Sequence, residues 1–200
     1  SVMGFSDVSG RLCMSWQAGD ARPMHQGEGK LWLGLQDLPH NDLVLDASAS
    51  MNYASDGISK FDYGCTLTAS LAYLILKQQD SAGLVTFSDR IEAFIPPRAK
   101  RDYLTQILHA LEHRGPGGDT NVGKILEEIA GQVKRRGLIV LVSDLLDDPD
   151  AILKGLRHFR FKGNDVIVFH VLDQAELDLP FEGNILFEDL EAANLQVIAD

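Results

Sequence analysis

Three short segments of the sequence carry oxygen-bearing side chains in a pattern that suits a divalent metal ion. An Asp-x-Ser-x-Ser motif places Asp46, Ser48 and Ser50 two residues apart, so in an extended chain their side chains project to the same side. Thr120 lies in a Gly-rich segment, and Asp144 closely follows an apolar run. Carboxylate and hydroxyl oxygens, without nitrogen or sulfur, are the ligands that Mg²⁺ or Mn²⁺ prefers. These five residues therefore predict a site for one such ion.

The elements around these residues predict an α/β fold. From Asp42 onward, short β-rich runs alternate with amphipathic helical stretches, which indicates a doubly wound, mostly parallel sheet with helices on both faces. Asp46 ends the first predicted strand, 42–46, and Asp144 follows the predicted strand 138–142. Ligands of such sheets lie beyond the carboxyl ends of the strands, where the strand order reverses. We therefore expect these two strands to be neighbours and the two carboxylates to meet.

The remaining elements follow from periodicity and from Gly and Pro. Further strands are predicted at 82–87, 91–95 and 166–172, helices at 59–78, 101–113, 121–134 and 149–162, and a β-rich tail at 185–198. Because no helix separates 82–87 from 91–95, we expect an edge hairpin that ends at the following Pro pair. Residues 1–41 show no sustained period and are predicted to be an irregular segment, with at most a short strand at 31–35. The predicted domain is 42–200.

Three of these pieces, in their order, resemble the metal-ion-dependent adhesion site of von Willebrand factor type A (VWA) domains. That site combines Asp-x-Ser-x-Ser, a Thr in a Gly-rich loop and an Asp after an apolar strand. Within this superfamily, the chain is similar to the bacterial proteins called "domain of unknown function 58", over residues 42–200. The similarity is carried by 43–51, 60–63, 83–87, 134–144 and 166–173. Upstream, only 17–22 echoes that family's signature.

The resemblance implies a Rossmann-like VWA fold and a role for each site residue. Ser48, Ser50 and Thr120 would contact the ion, whereas Asp46 and Asp144 would hold it mainly through waters. Neutral hydroxyl and water ligands leave the ion's charge available for an incoming acid. We therefore expect a non-enzymatic protein-binding module in which the metal accepts an Asp or Glu from a partner. The resemblance also implies work with a MoxR-type AAA+ ATPase in complex assembly.

Two other functions use the same part of the sequence. A Mg²⁺-dependent hydrolase or phosphotransferase could use Ser48 as its nucleophile, but no Gly-x-Ser-x-Gly elbow is present and no His or Lys accompanies this serine in sequence. Nucleotide binding at 115–119 would need the Gly-Lys-Ser/Thr ending of a P-loop, which is missing.

Composition excludes several classes of protein. The 200 residues carry 18 Lys plus Arg against 29 Asp plus Glu, a net charge of −11, which disfavours nucleic acid as a partner. The longest nearly apolar stretch, 67–76, is too short for a membrane span of about 20 residues. Two cysteines without metal-site spacing and no visible secretory signal predict a cytoplasmic chain.

Other notable residues have structural interpretations. Asp147, Asp148 and Asp150 are predicted to begin a helix, where negative charge is favourable. His170 is predicted to be a hydrogen-bonded residue of the sheet or its end. Cys65 is predicted to be a small core residue rather than a reactive thiol.

Overall fold

The computed structural model describes residues 40–100, 102–112, 117 and 121–180, together with the backbone of strands at 3–8, 11–15, 185–188 and 196–199. The strands are β1 Met3–Val8, β2 Arg11–Ser15, β3 Asn41–Asp46, β4 Ala82–Phe87, β5 Ile91–Arg98, β6 Leu138–Ser143, β7 Asp165–His170, β8 Ile185–Glu188 and β9 Gln196–Ala199. The helices are α1 Lys60–Lys77, α2 Tyr103–Glu112, α3 Val122–Gln132, α4 Pro149–Phe161 and α5 Gln174–Asp178, with a 3₁₀ turn at Ala49–Asn52.

A seven-stranded sheet in the order β2-β1-β7-β6-β3-β4-β5 forms the centre of the molecule. The five inner strands, β1, β7, β6, β3 and β4, are parallel to one another. The two edge strands, β2 and β5, pair antiparallel with β1 and β4. The α/β class is therefore confirmed. As predicted, β3 and β6 lie side by side, with Asn41 opposite Leu138 at the start of the ladder.

Helices cover both faces of the sheet, because residues along the central strands alternate between two apolar cores. Leu43 and Leu45 of β3 belong to the core beneath α1 and α2, whereas Val44 belongs to the core beneath α3 and α4. β3, β4 and β6 are buried along their whole length, as expected of central strands covered on both faces. Gly64 lets α1 approach closely, because a Cβ there would lie 2.9 Å from Cδ1 of Leu45.

The amino-terminal segment differs from its prediction. β1 and β2 lie within residues 1–41, and β1 adds to the sheet by pairing parallel with β7. β1 contains Gly4 and Asp7, residue types that strands seldom contain, and its pairing with β7 is a tertiary contact that the local sequence does not reveal. A Ser-Gly pair at 9–10 is the hairpin signal in the sequence between them. The strand predicted at 31–35 lies outside the described residues.

The other differences are local. β5 continues to Arg98 through the Pro pair, because an edge strand can tolerate missing N–H donors on its open side. The tail forms two short antiparallel strands, β8 and β9, in a sheet of their own.

Helix α5 was not predicted, since five residues show no helical period. Its capping box, Asp173 with Glu176, is the signal that the sequence does contain.

Candidate metal site

The carboxylate of Asp46, at the end of β3, is fully buried and fixed by two donors. Its Oδ1 accepts the backbone N–H of Ser48 at 2.9 Å, and its Oδ2 accepts the Ser143 hydroxyl of β6 at 2.5 Å. Burial raises the pKa of Asp46 to about 6, while the bonds from Ser143 and Ser48 oppose that rise. The carboxylate is thus held in place at the junction of the two central strands, where a cation would favour its charged form.

The two serines of the motif bring their hydroxyls together directly beyond Asp46. The Oγ atoms of Ser48 and Ser50 lie 3.1 Å apart, and both side chains are buried. Adjacent oxygens of an octahedral Mg²⁺ shell, each at 2.0–2.1 Å from the ion, are separated by about 3 Å. The spacing of the hydroxyls therefore fits two neighbouring positions around such an ion.

Asp144, one residue beyond β6, is buried beside a lysine. Its Oδ2 accepts a hydrogen bond from Nζ of Lys60 at 2.8 Å, and the same ammonium lies 2.7 Å from Oε1 of Glu176 on α5. Burial by itself lowers the pKa of Lys60, but attraction to Asp144 and then Glu176 outweighs it, so the pKa is raised. Because one oxygen of Asp144 is already bonded, this carboxylate is less free to chelate an ion directly.

Lys60 and Ser143 are site residues that the motif does not identify. Lys60 is only 3% exposed and occupies the first position of α1, where a positive charge opposes the helix dipole. A buried lysine at that position needs compensating acids, and because Asp144 and Glu176 are remote in sequence, the sequence offers no local signal for this role. Ser143 binds Asp46 and also accepts the N–H of Leu145, so it is part of the site's frame.

The backbone after β6 turns sharply beside Asp144. Leu145 adopts a left-handed conformation with φ of 55°, which is strained for a branched residue. The ring nitrogen Nε2 of His170 lies 2.9 Å from the backbone oxygen of Asp144, and His170 is therefore the hydrogen-bonded sheet-end residue that the sequence predicted. These contacts fix the path of the backbone at Asp144, where the chain continues beyond β6.

Thr120 lies outside the described residues, but residues on either side of it contact the other pieces of the site. The N–H of Gly117 donates to the oxygen of Ala47 at 3.0 Å, and the N–H of Gly123 donates to Oδ2 of Asp147 at 3.1 Å. Gly117 therefore lies next to the Asp-x-Ser-x-Ser turn, and Gly123 lies next to the loop after β6. Four of the five predicted ligands, Asp46, Ser48, Ser50 and Asp144, lie at this end of the sheet.

The structural interpretations of nearby residues can be compared with their contacts. Asp148 caps α4 and Asp150 lies in its first turn, as predicted. Cys65 is partly buried against the core, and burial raises the pKa of its thiol to about 11, so it is not a thiolate.

Within the described part of the chain, no three His, Cys, Asp or Glu residues cluster as metal ligands. A metal site here would therefore depend on the serine and threonine hydroxyls.

The strand order and the polar turn at the carboxyl ends of β3 and β6 define a doubly wound α/β domain with a candidate site at its strand ends. The family model described as "Protein of unknown function DUF58" matches residues 40–199, which is most of the chain. The chain belongs to this family, as the resemblance of its motifs predicted.

The chain is also similar to a curated protein and, at the level of the fold, to solved structures. An uncharacterized protein of Mycobacterium tuberculosis is 24% identical over 155 residues, which cover 75% of this chain and 48% of the relative. The chain thus spans about half the length of that relative. BatB from Bacteroides thetaiotaomicron matches with a TM-score of 0.53 and 17% identity, covering 64% of each chain.

Two further structures are also similar. An aerotolerance-related membrane protein from Bacteroides fragilis matches with a TM-score of 0.52 and 20% identity over 64% of this chain and 65% of the other. The SpRpn10 VWA domain matches with a TM-score of 0.44 and 14% identity over 68% and 89%. Among the helices that the structure describes, none combines the length and apolar character needed to cross a membrane.

Proposed function

We propose that this domain is a divalent-metal-dependent protein-binding module, in which Mg²⁺ or Mn²⁺ accepts a carboxylate from a partner. A VWA-like fold suggests a protein-interaction module, and the metal dependence is the added step. The observation that carries it is the pair of buried hydroxyls of Ser48 and Ser50, 3.1 Å apart beside the fixed carboxylate of Asp46. Thr120 would supply a third hydroxyl.

The contacts of the two aspartates support an indirect role for both. Asp46 is bonded at both oxygens, and Asp144 is bonded to Lys60, so these carboxylates favour contact with the ion through waters. The inner ligands are then neutral hydroxyls and waters. A divalent ion in such a shell gains most from a ligand that carries negative charge, which is why we assign the open position to a partner's Asp or Glu. A MoxR-type AAA+ ATPase is the partner that the family resemblance favours.

A hydrolytic role at Ser48 has less support. In the described part of the site, the Ser48 hydroxyl lies beside the Ser50 hydroxyl and the Asp46 carboxylate, and the Lys60 ammonium is bonded to two carboxylates. The Asp46 carboxylate already accepts the Ser48 N–H and the Ser143 hydroxyl, so it is poorly placed to act as a general base for this serine. We expect no phosphatase or ATPase activity that depends on Mg²⁺ and on Ser48.

The experiment compares partner capture from a bacterial lysate in Mg²⁺ and in EDTA, using the wild-type chain and two variants. Thr120→Ala removes one inner oxygen, and capture in Mg²⁺ should fall to the EDTA level. Thr66→Ala is the control, since Thr66 is an exposed threonine on α1, and its capture should equal that of the wild type. Equal capture in EDTA, or full capture by Thr120→Ala, would show that recognition uses another surface.

A further inference from the structure

A cavity lies at the end of the sheet opposite to the candidate metal site, where β3 begins. It is a cleft of about 410 Å³ between β5 and the chain that follows α3. Phe94, Pro96 and Pro97 form an apolar wall, Gln132 to Arg135 form the other side, and His40 and Asp42 complete the lining. The ring of His40 is hydrogen-bonded to Arg135, at 3.2 Å from Nε2 to the guanidinium. This cleft shares no residue with the metal site.

Asp42 is a buried carboxylate without a compensating group. The residue is 4% exposed, and among the described residues neither a hydrogen bond nor a neighbouring charge acts on its carboxylate. Burial raises its pKa to about 6, and no neighbouring charge or bond opposes the rise. An unpaired buried carboxylate is costly, so a group that pairs with it from the cleft would be strongly favoured.

The fold makes room for this carboxylate at the expense of a side chain. Gly83 of β4 lies opposite Asp42 in the ladder, and a Cβ there would come within 2.8 Å of Oδ1 of Asp42 and of the backbone oxygen of Ile95. The same Cβ would lie 2.9 Å from Cδ of Pro97. The carboxylate of Asp42 and the apolar wall thus occupy the space that a side chain at position 83 would fill.

From this geometry we infer that the cleft binds a small organic monocation, a primary ammonium or guanidinium group on an apolar body. The cationic N–H groups would donate to the Asp42 carboxylate. The apolar body would lie against Phe94, Pro96 and Pro97, of which Phe94 is 40% exposed. The exposed Lys134 and Arg135 beside the cleft disfavour polyamines with several charges.

The test is a calorimetric titration with benzylammonium at about pH 7, where an ordinary carboxylate and this one are both mainly ionised. Benzyl alcohol, which lacks the charge, and benzyltrimethylammonium, which lacks the N–H donors, are the matched probes. We expect saturable binding of benzylammonium and binding at least about tenfold weaker for both others, because a charged hydrogen bond is lost. A titration with Nα-acetyl-lysine amide tests whether a lysine side chain also binds in the cleft. Binding of this probe would show that a peptide can supply the cation as well as a small molecule.

Asp42→Asn keeps the shape of the side chain and removes its charge. Because it also removes an unpaired buried charge, this variant should fold, and its affinity for benzylammonium should fall by about tenfold or more. Asp165→Asn is the control, an exposed aspartate at the same end of the sheet, and should bind like the wild type. Absence of saturable benzylammonium binding, equal binding of benzyl alcohol, or unchanged binding by Asp42→Asn would overturn the inference.

Discussion

Lys60 joins three parts of the site through one ammonium group. It lies at the start of α1, contacts Asp144 after β6 and contacts Glu176 on α5. The resemblance assigns roles to the oxygen ligands alone, and a motif of ligands cannot show which cation balances them. That balance depends on the tertiary contact between α1 and β6, 84 residues apart in sequence.

Replacing Lys60 with Met should destabilise the metal-free chain and increase its response to metal. The substitution leaves the buried carboxylate of Asp144 without its partner, a loss of about 3 kcal/mol or more in the free energy of unfolding. Mg²⁺ would then supply the missing positive charge, so the rise in melting temperature from EDTA to Mg²⁺ should exceed that of the wild type. Lys77→Met, at the exposed far end of α1, is the control and should change neither quantity. An equal or smaller Mg²⁺ response in Lys60→Met would argue against an ion beside Asp144.

Asp42 makes the free energy of unfolding depend on pH in an identifiable way. Its pKa in the folded chain is about 6, above the ordinary value of 3.8. At pH values below 3.8, Asp42 is protonated in both the folded and the unfolded chain, and it does not lower the free energy of unfolding. As pH rises through this window the unfolded chain ionises first, and above about pH 6 the folded state bears the full cost of about 3 kcal/mol.

Asp42→Asn should therefore stabilise the chain at pH 8 by about 2–3 kcal/mol and have little effect near pH 4. Urea unfolding of both chains at several pH values measures this difference, because contributions of other titrating groups cancel between them. A difference that does not change with pH would show that Asp42 is not the titrating group.

At the scale of elements, the sequence predicted the α/β order and the edge hairpin, because apolar periodicity and turn residues report them directly. The adjacency of β3 and β6 was predicted from the rule that the ligand-binding strands of such sheets meet where the strand order reverses. It did not predict α5, which is too short for a period, or β1, whose partner β7 is remote in sequence. Asp46 and Asp144 lie at the end of β3 and just beyond β6, as predicted, because the apolar runs that predict these strands stop there. The roles of Lys60 and Ser143 come from packing that no local pattern encodes.

Helix α3 offers a matched pair of glycines for testing how closely the helices pack. At Gly123 a Cβ would lie 2.5 Å from Cβ of Ala151 and 2.7 Å from its backbone carbon, which cannot move aside easily, whereas at Gly131 nothing lies within 4 Å. Gly131→Ala should stabilise by about 0.5–1 kcal/mol through helix propensity. Gly123→Ala should destabilise by about 1–3 kcal/mol despite the same gain. Denaturant unfolding measures both, and equal effects would contradict the close contact between α3 and α4.

At the scale of the whole molecule, residues from Leu43 onward already build two apolar clusters that join the central strands to helices on both faces. A chain shortened to begin at Leu38 should therefore still unfold cooperatively. It would lose β1, however, and so uncover the edge of β7 over the pairs from Met3–Ile167 to Phe5–Phe169. Open edges promote pairing with other chains, so sedimentation should show more self-association than for the full chain. Loss of cooperative unfolding would instead show that the first strands are needed for the core.

The presence of a bound ion at the end of β3 can be measured directly by titrating Mn²⁺ into the chain in a calorimeter. We expect one ion per chain, binding weakened by about tenfold or more in Ser48→Ala and abolished in Asp46→Ala, and wild-type binding in Ser70→Ala, an exposed serine on α1. Free Mn²⁺ at ~100 times its dissociation constant should raise the free energy of unfolding by roughly 2.7 kcal/mol. A titration without heat together with equal melting temperatures in Mn²⁺ and EDTA, or unchanged affinity in Ser48→Ala, would contradict a metal site built from these hydroxyls.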